Sequence, residues 1–265
     1  MKLSRRPALN GIFLDEIDNR ILIQGVEAAA GKDSVSAVSV YGTAGQRMTG
    51  EHRDTLEVTV TFSMLIRRTD LAARADLFER ACAWAAAGKG AWLTLNFRPD
   101  RRLRVDYVAM PAMGDITRWT NRYTFTFRAY AVPYWQQEAP TMLRISNASS
   151  ADRLFGVGGN AQTVMDCEFQ NTSGSTINAF SFTAGESVFA FTNLGLADGE
   201  TLVIDHAADG ILRIRIRGDA WRSALDKRTP LSSDDLYVEP GQRRILMTAG
   251  GAGTLTVRCF GRFVG

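Results

Sequence analysis

Apolar and polar residues alternate with a period of two along most of the chain's patterned segments, and that period admits strands and little else. In LEVTVTF, Leu56, Val58, Val60 and Phe62 share one face, while Glu57, Thr59 and Thr61 share the other. AWLTLNF repeats the arrangement with Leu93, Leu95 and Phe97. FTFRAYAVPYW begins in the same way, setting Phe125, Phe127 and Ala129 against Thr126, Arg128 and Tyr130. Successive side chains of a strand point to opposite faces, so each segment is expected to lay one face on a core. Pro133 has no amide hydrogen to give a neighbouring strand, so the ladder of this last segment must end, or reach an edge, there.

One segment departs from the pattern. In DLAARADLFERACAWAAAGKG, Leu71, Ala75, Phe78, Cys82 and Ala85 recur at helical spacing, Asp70 is placed to cap the first turn, and Gly88 ends the run. The spacing predicts one amphipathic helix over about 71–87, laid across a sheet. Pro99 and Asp100 carry turn chemistry, which makes RVDYVAM a candidate hairpin partner for AWLTLNF.

After Trp135 the texture changes. QQEAPTMLRISNASSADRLFGVGGN is polar and aperiodic, so the first domain is expected to occupy 1–135 and a linker 136–145. From there TVMDCEF, INAFSF, SVFAFTNL, TLVIDH, ILRIRIR, DLYV, RRILMT and TLTVRCF read as short strands, divided by turns such as LADGE, EPGQ and AGGAG. Turn signals every 8 to 12 residues with no helix between them predict an antiparallel β-sandwich over 146–265. The fold class is therefore mainly β: a β-barrel or split-sheet domain with one helix, then a sandwich.

Composition narrows the function. With 31 Lys and Arg against 28 Asp and Glu, the net charge of +3 is too close to balance for a body that tracks nucleic acid. Cys82, Cys167 and Cys259 stand far apart and are odd in number, which fits neither a disulfide framework nor a zinc site and reads as buried thiols of a reducing compartment. The N-terminal segment lacks a signal-length apolar run, and no later stretch has the apolar length of a membrane helix. No metal or cofactor is expected.

The polar residues offer little catalysis. His52 and His206 lie in unrelated contexts, and although Asp205, Asp209 and Asp219 stand near His206 in sequence, DHAADG is ordinary turn composition. GVGGN, 156–160, lacks the lysine and the following helix of a phosphate loop. Asn147-Ala-Ser149 and Asn171-Thr-Ser173 match the glycosylation sequon, but without a secretory signal they carry no meaning.

Interaction surfaces are the better expectation. Arg98, Arg101, Arg102 and Arg104 cluster around the expected hairpin, where they are a solvated tip, a protein contact or a phosphate clamp. In ILRIRIR the arginines 213, 215 and 217 share a face that is solvent, interface or a guard against strand aggregation. Trp221, flanked by Asp219 and Arg222, is a candidate platform for a sugar.

Three stretches carry a resemblance: GIFLDEIDNRILIQGVE, FTFRAYAVPYW and DLYVEPGQRRILM. With the order of strand block, helix, linker and sandwich, they make the whole chain similar to the distal tail protein of long-tailed, siphovirus-type bacteriophages. In that family an aromatic strand running into Pro-Tyr closes the first domain, which Pro133, Tyr134 and Trp135 match. Arg243 and Arg244 depart from it, standing where a more neutral turn exit belongs.

The resemblance implies a structural virion protein, not an enzyme. It would form a homohexameric hub at the tail tip, built in the host cytoplasm, with a galectin-like second domain pointing outward. Its partners would be copies of itself, the tail tube protein, a tail-tip protein and receptor-binding proteins, with no membrane and no sequence-specific nucleic acid. Pro133, Tyr134 and Trp135 then become candidate interface residues, joined by the Arg98–Arg104 cluster. The competing reading is a carbohydrate-binding sandwich that recognises host surface glycans, although the close succession of histidine, asparagine and arginine in a galectin sugar site is absent.

Overall fold

The computed structural model describes residues 6–29, 33–39, 46–67, 69–112, 122–207 and 211–264, with side chains left aside in 33–53. His52 and Asp209 therefore lie outside what can be described of side chains. The chain is mainly β and divides into two compact units, Met1–Gln136 with Val264–Gly265, and Gln137–Phe263.

The first unit is organised by Leu56–Met64, which pairs with Ile21–Ala28 on one side and Tyr123–Ala129 on the other, while Tyr107–Ala109 extends the sheet beyond Tyr123–Ala129. The alternation puts Leu56, Val58, Val60 and Phe62 on the buried face, each fully shielded from solvent. Across the ladder they meet Ala129, Phe127, Phe125 and Tyr123 in register. Apolar and aromatic cross-strand pairs of this kind are the unit of sheet stabilisation.

The helix Leu71–Ala86 covers that face, and the Asp70 carboxylate accepts the Ala73 amide at 3.0 Å as the N-cap. Its buried side is Arg74, Leu77, Phe78, Ala81, Trp84 and Ala85, rotated by about a residue from the stripe expected from the sequence; Leu71 is exposed. The rotation follows the bulky residues: Trp84 packs edge-on to Phe127 with centroids 5.9 Å apart, and Phe78 lies 5.4 Å from Tyr123. Small alanines and Cys82 gain less from the same places. A second, four-residue helix, Leu14–Ile17, has no signal in the sequence periodicity.

The expected hairpin is corrected. Trp92–Leu95 pairs with Arg98–Arg104, so Pro99 and Asp100 fall inside a strand, and Tyr107–Ala109 joins the other sheet. The chain turns instead at Asn96 and Phe97, and the register shifts between Thr94, paired with Arg102, and Leu95, paired with Arg98, which leaves Pro99, with no amide to donate, outside the paired positions.

The second unit hangs on one strand of 19 residues, Gly241–Cys259. Its first half pairs with Phe180–Ala184 and its second with Thr163–Asn171, while Thr141–Val157 runs beside both halves. One strand thus serves both layers, which close over Phe155, Met165, Phe169, Phe180, Phe182 and Phe189. The Phe169 and Phe180 rings, one from each layer, sit 4.6 Å apart.

Two expectations fall here. AGGAG is no turn but the crossing point of the long strand, and Thr141–Val157, part of it read as linker, is a strand of 17 residues. Gly253 is there for contact: a Cβ on it would stand 2.3 Å from the Phe169 ring and 2.6 Å from the Gln170 carbonyl oxygen. Arg243 donates to the carbonyls of Glu239 and Pro240, clasping the turn it follows, and Arg244 forks onto Asp152.

Candidate functional site

At the end of the first unit, the strand that runs toward Pro133 stops four residues early, at Ala129. The Asp106 carboxylate takes the amides of Tyr130 and Ala131 at 2.6 and 2.9 Å, offering those donors a partner outside the ladder. Pro133 and Trp135 are buried and Tyr134 is half-buried. Trp135 is fully shielded and forms part of the wall of a cavity of about 320 Å³ with Val26, Ala28, Leu95, Phe97 and Arg98. Of the two roles open to Trp135, subunit packing and an anchor for a neighbour, its burial favours packing.

The four arginines of RPDRRLR lie along a strand and not around a tip. The Arg102 guanidinium stacks 4.1 Å over the Trp92 ring, and Arg101 pairs with Asp100 at 3.4 Å. The outer surface of this unit is rich in apolar groups: Ile12, Leu65, Leu71, Tyr107, Met110 and Tyr130 all stand about half exposed or more.

In the second unit Trp221 and Arg222 border one groove, while Asp219 lies apart from them. Arg222 turns away to the Gly195 carbonyl and Glu200, while Asp219 borders a separate polar cavity with Glu200, Asp198 and Arg217. Trp221 instead meets Arg215, 4.2 Å from its ring centroid, and Arg217 at 5.8 Å. Neighbours in sequence point to opposite faces of a strand, whereas Arg217 is the cross-strand partner of Trp221; only pairing reveals it.

His206 is held by residues that its sequence neighbourhood does not suggest. Its Nε2 lies 2.6 Å from Asp235 and its Nδ1 3.6 Å from Asp166, with the side chain 5% exposed. Asp205 is committed to Arg213 and Arg215. Burial alone pushes the imidazole pKa down, but the two carboxylates more than offset it, leaving a net raised value.

A raised folded pKa gives stability that is fully present below the unfolded value of about 6.5 and lost as pH climbs through the folded one. The second unit is therefore expected to melt lower at pH 8 than at pH 6. His206→Gln should flatten that slope in thermal melts across the range, and an unchanged slope would show that His206 carries none of it.

Asn171 resolves the sequon. It is fully buried, donates to the carbonyls of Ser175 and Leu196 at 2.7 and 2.9 Å, and accepts from the Ser173 amide and hydroxyl. Asn171→Ala orphans these buried groups and should cost about 3 kcal/mol, read by chemical denaturation. All three cysteines are free. Burial pushes the Cys259 thiol up to about 11 and Cys167 further, while Cys82 is half-buried. Among the described residues no group of three or more His, Cys, Asp or Glu is arranged to hold a metal ion, and no helix is long and apolar enough to cross a membrane.

No protein-family model matches the sequence, and no curated protein does. The comparison of folds decides. The SPP1 Dit (gp 19.1) protein, whose crystal structure is described as a paradigm of the hub adsorption apparatus in Gram-positive infecting phages, superposes with a TM-score of 0.65 at 12% identity, over 97% of this chain and 98% of that one. The chain has the SPP1 Dit fold. Chains of the phage P2 baseplate in its activated conformation, with Ca and with Sr, also align over 97% of their length at 7% and 9% identity, with TM-scores of 0.47 and 0.48. The likeness to SPP1 Dit runs through both units, strand block and sandwich alike.

Proposed function

We propose that this chain is a structural hub of a phage tail, a homohexameric ring at the distal end that joins the tail tube to the adsorption apparatus. The observation that carries this reading is the end-to-end match to the SPP1 Dit fold, which leaves almost none of either chain uncovered. A fold alone does not fix a function. Two features of the first unit add weight. Its four-stranded sheet has Ile21–Ala28 and Tyr107–Ala109 outermost, and strand edges ask to be covered or paired. Exposed Leu22, Tyr107 and Met110 lie on or beside those edges. A closed ring covers many such edges with one repeated contact.

On this reading the first unit makes the ring and the second projects outward. The tail tube protein, a tail-tip protein and receptor-binding proteins are the partners, and the virion tail tip, reached by assembly in the host cytoplasm, is the location. The protein holds other proteins together and catalyses nothing. Negative-stain images of the purified chain test it: six-fold rings are expected, and fields of separate single-chain particles at every concentration would count against the hub.

A further inference from the structure

The outer face of the second unit's sheet carries an arginine lattice with too few acids. Arg213 forks onto Asp205 at 3.1 and 2.8 Å, and Arg215 reaches the same carboxylate at 3.0 Å. Arg217 shares Glu168 with Arg258, itself at 3.3 Å. Four guanidiniums thus share two carboxylates, and Asp166, the cross-strand partner of Arg258, is drawn to His206, so the face keeps an excess of positive charge. Most of their N–H donors stay free for another acceptor, since a guanidinium carries five.

Spacing and an aromatic complete the site. Arg213, Arg215 and Arg217 alternate along one strand, so their bases repeat at about 6.8 Å on one face. Trp221, at the edge of the sheet, is 51% exposed and is oriented by the stacked guanidinium of Arg215. A groove of about 370 Å³ runs between Trp221, Arg213, Arg215 and Leu225. Guanidinium forks match carboxylate and phosphate groups. An exposed indole gives a flat surface for the apolar face of a sugar ring.

We propose that this face binds an acidic polysaccharide, with the arginines taking its regularly repeated anionic groups and Trp221 taking a sugar face. A neutral glycan would leave the lattice unused. Single-stranded nucleic acid sites stack successive bases on several aromatics, whereas Trp221 is the one aromatic in contact with these arginines among the described residues. An acidic protein segment has no need of the indole. Uronate and phosphodiester groups share the required chemistry. The proposal stands apart from ring assembly and holds for the chain in any oligomeric state.

Titration calorimetry of the full chain decides it, with polygalacturonate and phosphomannan as probes and dextran, polyglutamate and oligothymidylate as comparisons. Expected is binding to at least one acidic polysaccharide that weakens steeply with salt, and none to dextran. Whichever of the two binds tells uronate from phosphodiester. Trp221→Ala should weaken it about tenfold, a typical loss for one aromatic contact. Arg215→Gln with Arg217→Gln should weaken it further, while Arg153→Gln, an exposed arginine elsewhere, leaves it unchanged. Thermal melts establish that each variant is folded. No binding to either acidic polysaccharide, no loss in Trp221→Ala, or equal binding of polyglutamate or oligothymidylate would each overturn the proposal.

Discussion

Trp135→Ala is expected to lower the melting temperature of the first unit by about 10 °C or more. Replacing a fully buried large aromatic by alanine costs about 3 to 5 kcal/mol, from lost transfer free energy and the cavity left behind. In a unit of this size each kcal/mol moves the transition by a few degrees. The side chain is fully shielded within the chain and borders one cavity with Val26, Ala28 and Leu95, so its loss falls on the subunit's own packing, before any neighbour is considered. Calorimetry of the wild-type and variant chains separates the roles. A lowered transition with assembly lost only as a consequence is the expected result. An unmoved transition with assembly lost would make Trp135 an anchor for a neighbour after all.

Gly253→Ala should cost about 3 kcal/mol or more of the second unit's stability, because the added carbon meets the Phe169 ring at 2.3 Å and a ladder carbonyl at 2.6 Å. Neither can step aside: Phe169 is locked against Phe180 across the core, and the carbonyl belongs to the paired strand Thr163–Asn171. Gly250 is the control, since a carbon there finds its nearest neighbour, the Ala179 carbonyl oxygen, at an ordinary 3.6 Å. Gly250→Ala should stay within about 1 kcal/mol of wild type. Denaturant midpoints of both variants check the pair, and equal effects would show that the crossing point is looser than its distances imply.

The same residues show what the sequence could and could not disclose. Leu56–Met64, Tyr123–Ala129 and Thr163–Asn171 are legible because each has one face on a core, and burial writes a period of two into the residue types. Thr141–Val157 is not. Its core-facing residues Leu143, Ile145, Ala148 and Ala151 are only partly buried, and register shifts on either side of Ala148 break the period of two along it.

Glycine-rich AGGAG is ambiguous for a different reason. Glycine serves a turn and a close approach equally well, and only the arrival of Phe169 and Ser173 from 80 residues away tells them apart. The candidate sites follow the same rule. Asp235 lies 29 residues from His206, and Arg215 meets Trp221 across a hairpin, so both pairs are made by topology. Of the charged neighbours of Trp221 in sequence, Arg222 is sent to the other face by the pleat, and Asp219 lies in the bend before the strand.

A closed ring of six fixes the mass of the purified full chain in solution, which tests assembly most directly. Light scattering after size exclusion should give a species of about 175 kDa, six copies of 29.1 kDa, that persists on dilution as a closed ring does. A single species of 29.1 kDa at every concentration would contradict the hub.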